Sequence, residues 1–377
     1  MILPPAAGAE RGITSLRVAG LTLLRRLVLA GASASYARVL VADAAGDRAM
    51  LAGTAAANLA SAPVPSSAWY RVVVVPANVV PQKRWLRGLQ ELPLERDTLY
   101  AEPILGVGVV ETQRLDAVVA AARGDGGADV LERLRKVFES RALAADPAGA
   151  MAVRDGGDRS AAERWLYRSL IKQNEGFMSR HFERKLSMAV TRRLVDTGAT
   201  PNMMTVVSVA IGLAGAACFL SAAPAWQLTG ALLCLAHSIL DGCDGELARL
   251  KFLESRHGAV LDFWGDNIVH FAVFSCIAIG WALHTHSAFP LVVGGVAVAS
   301  AAGTAAFMFT RFVEDRATTG TWASRLIGAM SHRDFIYIVV LLSAFGRAHW
   351  FLVATAVGTP LFLILALLFL RTDGRVS

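Results

Sequence analysis

The chain has 377 residues, 54% of them hydrophobic, with a formal net charge of +7 and a mean hydropathy of +0.47. That hydropathy is too high for an ordinary soluble enzyme, and the length leaves room for two domains. The basic balance does not point to nucleic acid, because no aromatic-interleaved basic patch accompanies it; the Lys and Arg residues instead flank apolar segments, as membrane topology requires.

From its start, MILPPAAGAERG has neither a basic leader nor a long apolar core, so it does not read as a signal peptide. Up to about Ser160 charges recur every few positions and apolar runs stay short. RVLVAD and YRVVVVPAN are short β-branched runs of strand type, whereas GLTLLRRLVLAGAS and PQKRWLRGLQEL carry apolar residues at helical spacing. This alternation predicts an α/β domain with a mostly parallel sheet over residues 1–160. GVGVV, around Gly106 to Gly108, reads as a plain strand rather than a phosphate loop. Residues 161–200 mix Trp165, Leu170, Phe182, Leu186 and Val190 with a strongly basic complement. They fit one or two amphipathic helices lying on a membrane surface, or a linker helix packed on the front domain.

A bilayer-spanning helix needs about 20 mostly apolar residues. Candidate spans are Met204–Ser221, Trp226–Leu240, Val260–Leu283, Leu291–Phe309, Phe335–Phe345 and Trp350–Leu370, six in all within residues 201–377. Arg180, Arg184, Lys185, Arg192 and Arg193 precede the first span. Arg249, Lys251 and Arg256 follow the second, Arg311, Arg316, Arg325 and Arg333 the fourth, and Arg371 and Arg375 the sixth; the opposite loops carry only Arg347. The excess of positive charge on one side places both termini, and the loop after the second span, in the cytoplasm. Cys218, Cys234, Cys243 and Cys276 have no CxxC spacing and do not suggest a disulfide framework.

Charged side chains at a membrane are costly and mark function. Asp241 and Asp244 are three apart at the end of the second span, and Asp262 and Asp266 are four apart at the start of the third. On helices such pairs share a face, so two adjacent antiparallel helices can aim four carboxylates at one spot. Hard oxygen donors in that number suit Mg²⁺, Mn²⁺ or Ca²⁺ rather than zinc. Gly242, Gly245 and Gly258 permit close backbone approach, Ala248 leaves the next turn uncluttered, and Arg249 offers a fork for phosphate oxygens. Together these describe a phosphoryl-transfer site. A structural ion site would not need the Gly, Ala and Arg at fixed offsets. A transporter would show inverted repeats and helices broken at mid-membrane, whereas the sequence has no internal repeat and its acids sit at the membrane edge.

The pattern Asp241-x2-Asp244-Gly245-x2-Ala248-Arg249-x8-Gly258-x3-Asp262-x3-Asp266 resembles the signature of the CDP-alcohol phosphotransferase family, from about Arg164 to the end of the chain. The resemblance implies a polytopic enzyme of six transmembrane helices, a homodimer, with one or two Mg²⁺ or Mn²⁺ ions per site. Asp241, Asp244 and Asp262 would be metal ligands, and Asp266 a ligand and the general base. Gly245, Ala248, Arg249 and Gly258 would line the nucleotide, with Asn202 and Thr205 of TPNMMT beside it. A CDP-alcohol donor would pass its substituted phosphate to a hydroxyl acceptor, and CMP would leave. For acceptors that are phosphorylated polyols, Arg311 and Arg333 are the candidate ligands. Arg316, Arg325 and His332, or Arg192 and Arg193, are alternatives that topology alone also explains. The product expected is a membrane lipid or an inositol-phosphate compound.

A front α/β domain joined to this transferase resembles bifunctional inositol-phosphate cytidylyltransferase/di-inositol-phosphate-phosphate synthases. Here the opening loop has prolines in place of repeated glycines, the expected Lys is missing, and Asn78 stands where a metal-binding Asp belongs. The front domain therefore reads as a nucleotidyltransferase-like relic without catalysis, the alternative being an active CTP-dependent cytidylyltransferase. On that reading Asn78→Asp should be silent.

Overall fold

The structure is a computed structural model, and it describes residues 1–4, 12–42, 48–59, 68–123, 130–144, 146–170, 182–314 and 335–373. Two compact units divide the chain: Met1–Leu170 with Leu250–Phe252, and Ile171–Arg249 with Leu253–Ser377.

The first unit is built on strands β1 (Ile2–Leu3), β2 (Arg17–Val18), β3 (Leu21–Thr22), β4 (Val39–Val41), β5 (Ala56–Asn58), β6 (Tyr70–Val74), β7 (Val79–Pro81), β8 (Thr98–Glu102), β9 (Val107–Thr112), β10 (Glu139–Ala142) and β11 (Ala150–Ala152). Seven form one sheet in the order β10-β8-β9-β6-β1-β4-β5. Pairings β1–β4, β1–β6, β4–β5 and β8–β10 are parallel, while β9 runs antiparallel to both β6 and β8. Alternate residues feed two cores, as the pleat dictates. Leu3, Val73 and Val109 face one core with α1 (Leu23–Ser33) and α3 (Lys83–Glu91), numbering the short helix Arg48–Leu51 as α2. Ile2, Val72 and Val110 face the other, with α4 (Leu115–Arg123) and α5 (Val130–Arg135). Burial on both faces explains why these strands are continuous apolar runs. GVGVV is strand β9, and Gly108 is there for packing: a Cβ would sit 2.8 Å from Leu131 Cδ2.

Asn78 is buried just before β7, where its Nδ2 donates to the Val153 carbonyl at 2.9 Å and its own carbonyl accepts from Val153 N–H at 2.9 Å. The amide thus closes the β7–β11 pair, so position 78 carries a packing role of its own.

In the second unit helices α7 to α13 follow α6 (Arg159–Ser169) of the first: α7 (Arg184–Leu194), α8 (Pro201–Cys218), α9 (Pro224–Lys251), α10 (Arg256–Thr285), α11 (Phe289–Glu314), α12 (Phe335–Ala344) and α13 (Ala348–Asp373). Among the described residues, four helices are long and apolar enough to cross a membrane: α8, α10, α11 and α13. No more than a third of any span is buried inside the protein, and outward-facing residues include Val206, Leu232, Ile268, Leu291, Leu341 and Leu361. Apolar side chains pointing away from the protein suit hydrocarbon, not water. Helix α9 falls short on apolarity because of Gln227, His237 and its terminal charges, although its 28 residues run about 42 Å. The aspartates are within this helix rather than at its end, and Arg249 and Lys251 are helical rather than loop residues, a correction to the span ending at Leu240. Falling hydropathy does not stop a helix whose backbone bonds remain available. It stops where Phe252 turns left-handed (φ 56°) and Leu253 N–H returns to the Ala248 carbonyl at 2.9 Å, a Schellman-type end.

Small residues set the helix spacing. A Cβ on Gly215 of α8 would lie 2.8 Å from the Gly230 carbonyl of α9, and one on Gly230 would lie 2.6 Å from that of Gly215. All four cysteines are free thiols.

Because aspartate cannot donate to Val153, Asn78→Asp should cost about 1–3 kcal/mol. The expected outcome is a lower thermal midpoint for the front-domain transition in the purified full-length protein, followed by circular dichroism.

Candidate active site at helices α8, α9 and α10

Helix α8 begins with Thr200 as N-cap, its hydroxyl accepting from Met203 N–H at 3.3 Å, and Pro201 in the first turn. Helix α10 is capped likewise by Ser255, which accepts from Gly258 N–H at 3.0 Å. The two starts meet: a Cβ on Gly258 would come within 3.1 Å of Asn202 Oδ1. Glycine there keeps the first turns of α8 and α10 together next to the acidic stretch of α9.

Asp241 and Asp244 of α9 are buried, and Asp262 of α10 is half-buried. One ligand oxygen from each lies within 4.8 Å of the other two. Thr205, one turn after Pro201 on α8, donates its hydroxyl to Asp244 Oδ2 at 2.5 Å. Asp262 Oδ1 is buried with no hydrogen-bond partner among the described residues. Three carboxylates converging in a site of this kind, one with an orphaned buried oxygen, fit a hard divalent cation. Asp266, one turn further along α10, is not one of these three, and its Oδ1 lies 3.5 Å from Nε2 of buried His237 on α9. A cavity of about 340 Å³ opens beside the pair, lined by Ser238, His270 and Phe274 among others.

Of the nucleotide candidates, Gly245 and Arg249 are adjacent: a Cβ on Gly245 would have the Arg249 guanidinium as its nearest neighbour, at 3.5 Å, which is ordinary contact. Protein packing alone does not demand glycine there. Ala248 lies one turn from Asp244 on the same face, and Asn202 is exposed. Arg311 lies in α11, but its side chain, like all of Arg316, Arg325, His332 and Arg333, lies outside the described residues.

Two features were missed in the sequence. His237 is four residues before Asp241, so the helical spacing that flagged the aspartates could have included it. Glu246 is fully buried, and its carboxylate accepts from Arg184 Nη1 at 2.8 Å, Ser187 Oγ at 2.7 Å and Thr191 Oγ1 at 2.6 Å, all on α7. Nothing in its local sequence separates it from a solvated acid at a helix end.

Residues 199–361 match the family model for CDP-alcohol phosphatidyltransferase. The chain is 40% identical over 118 residues to the bifunctional IPC transferase and DIPP synthase of Thermococcus kodakarensis, a match covering 31% of this chain and 26% of that protein. It is 34% identical over 171 residues to the protein of the same name from Rubrobacter xylanophilus, covering 45% of this chain and 36% of that one. The chain thus spans only about a quarter to a third of the length of these relatives. A crystal structure of Mycobacterium tuberculosis phosphatidylinositol phosphate synthase with CDP-DAG bound aligns at 21% identity and a TM-score of 0.36, covering 48% of this chain and 93% of that one.

Thr205→Val removes the hydroxyl but little volume. Loss of a hydrogen bond that orients a ligand carboxylate should weaken Mn²⁺ binding by about tenfold, measured by electron paramagnetic resonance on the detergent-purified protein.

Proposed function

We propose that the chain is an integral membrane CDP-alcohol phosphotransferase, transferring a substituted phosphate from a CDP-alcohol to a hydroxyl acceptor with release of CMP. The observation that carries this reading is the convergence of Asp241, Asp244 and Asp262 from two helices, inside the region that matches the family. Helices α9 and α12 complete a set of six spans, with both termini and the aspartates on the cytoplasmic side. Trp226 and Trp350, both exposed, suit an aromatic belt at the opposite edge. Trp226 lies about 22 Å along α9 from Asp241.

Asp241, Asp244 and Asp262 would hold Mg²⁺ or Mn²⁺, which supplies charge neutralisation on the donor diphosphate. Arg249 directs its guanidinium to phosphate oxygens, while the Gly245 surface leaves room for the nucleotide. Asp266 accepts the proton of the acceptor hydroxyl, whose oxygen attacks the phosphorus bearing the alcohol. The bond from that phosphorus to the CMP oxygen breaks, and CMP departs with the bonding electrons. His237 holds Asp266 at the mouth of the cavity where the acceptor hydroxyl would enter.

The names of the relatives support inositol phosphate chemistry and a CDP-diacylglycerol or CDP-polyol donor. A phosphorylated acceptor would call on Arg311 and Arg333, and the enzyme would work as a homodimer. The front domain, residues 1–160, is a nucleotidyltransferase-like relic, with 161–200 forming the juxtamembrane helices and 201–377 the transferase. Asn78, bound to Val153, takes a structural part where an active cytidylyltransferase would need a metal-binding Asp.

The test is CMP release by detergent-purified protein with Mn²⁺, using CDP-diacylglycerol or CDP-inositol as donor and inositol phosphate, glycerol phosphate or inositol as acceptor. One donor–acceptor pair should release CMP, and Asp266→Asn should lower that rate by roughly a hundredfold or more. Release that ignores the acceptor, or survives Asp266→Asn, sinks the assignment.

A further inference from the structure

Helix α9 has two working faces. Asp241, Asp244 and Ala248 share one, and Glu246 projects about 140° around from Asp241. On that rear face α7 packs closely: Gly242 leaves a Cβ position 3.5 Å from Ser187 Cβ, and Cys243 Sγ donates to the Ser187 carbonyl at 3.4 Å. Arg184, Ser187 and Thr191 lie at positions i, i+3 and i+7 of α7, so one stripe of that helix supplies all three donors to Glu246. Glu246 is 0% exposed and the Arg184 side chain 14%.

The segment held in this way carries two of the glycines of α9. Gly242 and Gly245 each reduce helix propensity. Asp241 and Asp244 also repel Asp262 across the gap to α10. A further carboxylate two residues from Asp244 would add to that repulsion unless it were itself neutralised. Burial beside Arg184, with two hydroxyl donors, does so, and it turns the added charge into an anchor behind the metal-facing turn.

We propose that Glu246 is a positioning residue: through Arg184, Ser187 and Thr191 it clamps the Asp241–Arg249 turn of α9 onto α7 and so fixes the separation of Asp241 and Asp244 from Asp262. The inference rests on the metal-site reading above and adds a residue outside the family pattern. Helix α7 becomes part of the site by this route, although none of its side chains is among the three converging carboxylates.

The experiment measures Mn²⁺ affinity by electron paramagnetic resonance on the full-length protein in detergent, alongside the thermal midpoint. This readout does not depend on turnover. Asp262→Asn should abolish binding, and if it does not, or if the native protein binds no Mn²⁺, the metal-site reading fails and this inference with it. Given that control, Glu246→Gln, which keeps the shape and loses the charge, should weaken Mn²⁺ by about tenfold with little change in the midpoint. Arg184→Lys, which keeps the charge and loses the fork, should weaken it less. Arg184→Ala combined with Glu246→Gln should be no worse than Glu246→Gln alone, as expected for one coupled unit. Native Mn²⁺ affinity in Glu246→Gln and Arg184→Lys, or a fall in midpoint with affinity retained in the folded protein, would assign Glu246 to packing and overturn the proposal. Should Glu246→Gln fail to fold, Arg184→Lys decides on the same criteria.

Discussion

Mutual repulsion among Asp241, Asp244 and Asp262 is the term that the rest of the second unit must answer. Two unit charges about 4 Å apart interact by about 4 kcal/mol at the effective dielectric of a protein surface, and more in a drier setting. Three oxygens within 4.8 Å of one another therefore hold their places only against a compensating charge and a stiff frame. The frame is visible in detail. Thr205 ties Asp244 to α8, the Ser255 cap and Gly258 bring the start of α10 against Asn202, and Glu246 ties the back of α9 to α7. Each of these contacts comes from a different helix, so the site is a junction rather than a loop motif.

The apolar exterior of the second unit imposes a complementary demand. With hydrocarbon on the outside, backbone polar groups must be satisfied within helices, and helix contact depends on close packing rather than on expulsion of water. The reciprocal Gly215–Gly230 contact supplies that packing between α8 and α9. Buried polar groups away from the acids are used in the same economical way. Gln227 receives the first N–H of α13 from Ala348 at 3.1 Å on its Oε1 and donates to the Ala222 carbonyl at 3.3 Å. The residue that most reduces the apolarity of α9 near its start thus caps a neighbouring helix.

The front unit is an α/β domain whose central sheet is parallel-rich and covered by helices on both sides. Its sheet is buried on both faces, so its strands stay apolar whether or not any chemistry remains. The Asn78 amide stitches β7 to the chain beyond β11. A carboxylate lacks the donor that this contact needs.

The sequence by itself determined the period of each element and the chemistry of the acidic cluster. Alternation placed Val72 to Val74 in a strand, and apolar length marked α8, α10, α11 and α13, because those properties depend on neighbours in the chain. The three- and four-residue spacings put Asp241 with Asp244 and Asp262 with Asp266 for the same local reason. Only the tertiary structure decided that α9 continues through both of its aspartates, that Thr205 is the partner of Asp244, that Asp266 faces His237, and that Glu246 is buried. Those outcomes turn on which residue of a distant helix arrives at a given point. Glu246 and a solvated glutamate read alike in the chain; three donors on α7, 55 to 62 positions away, make the difference.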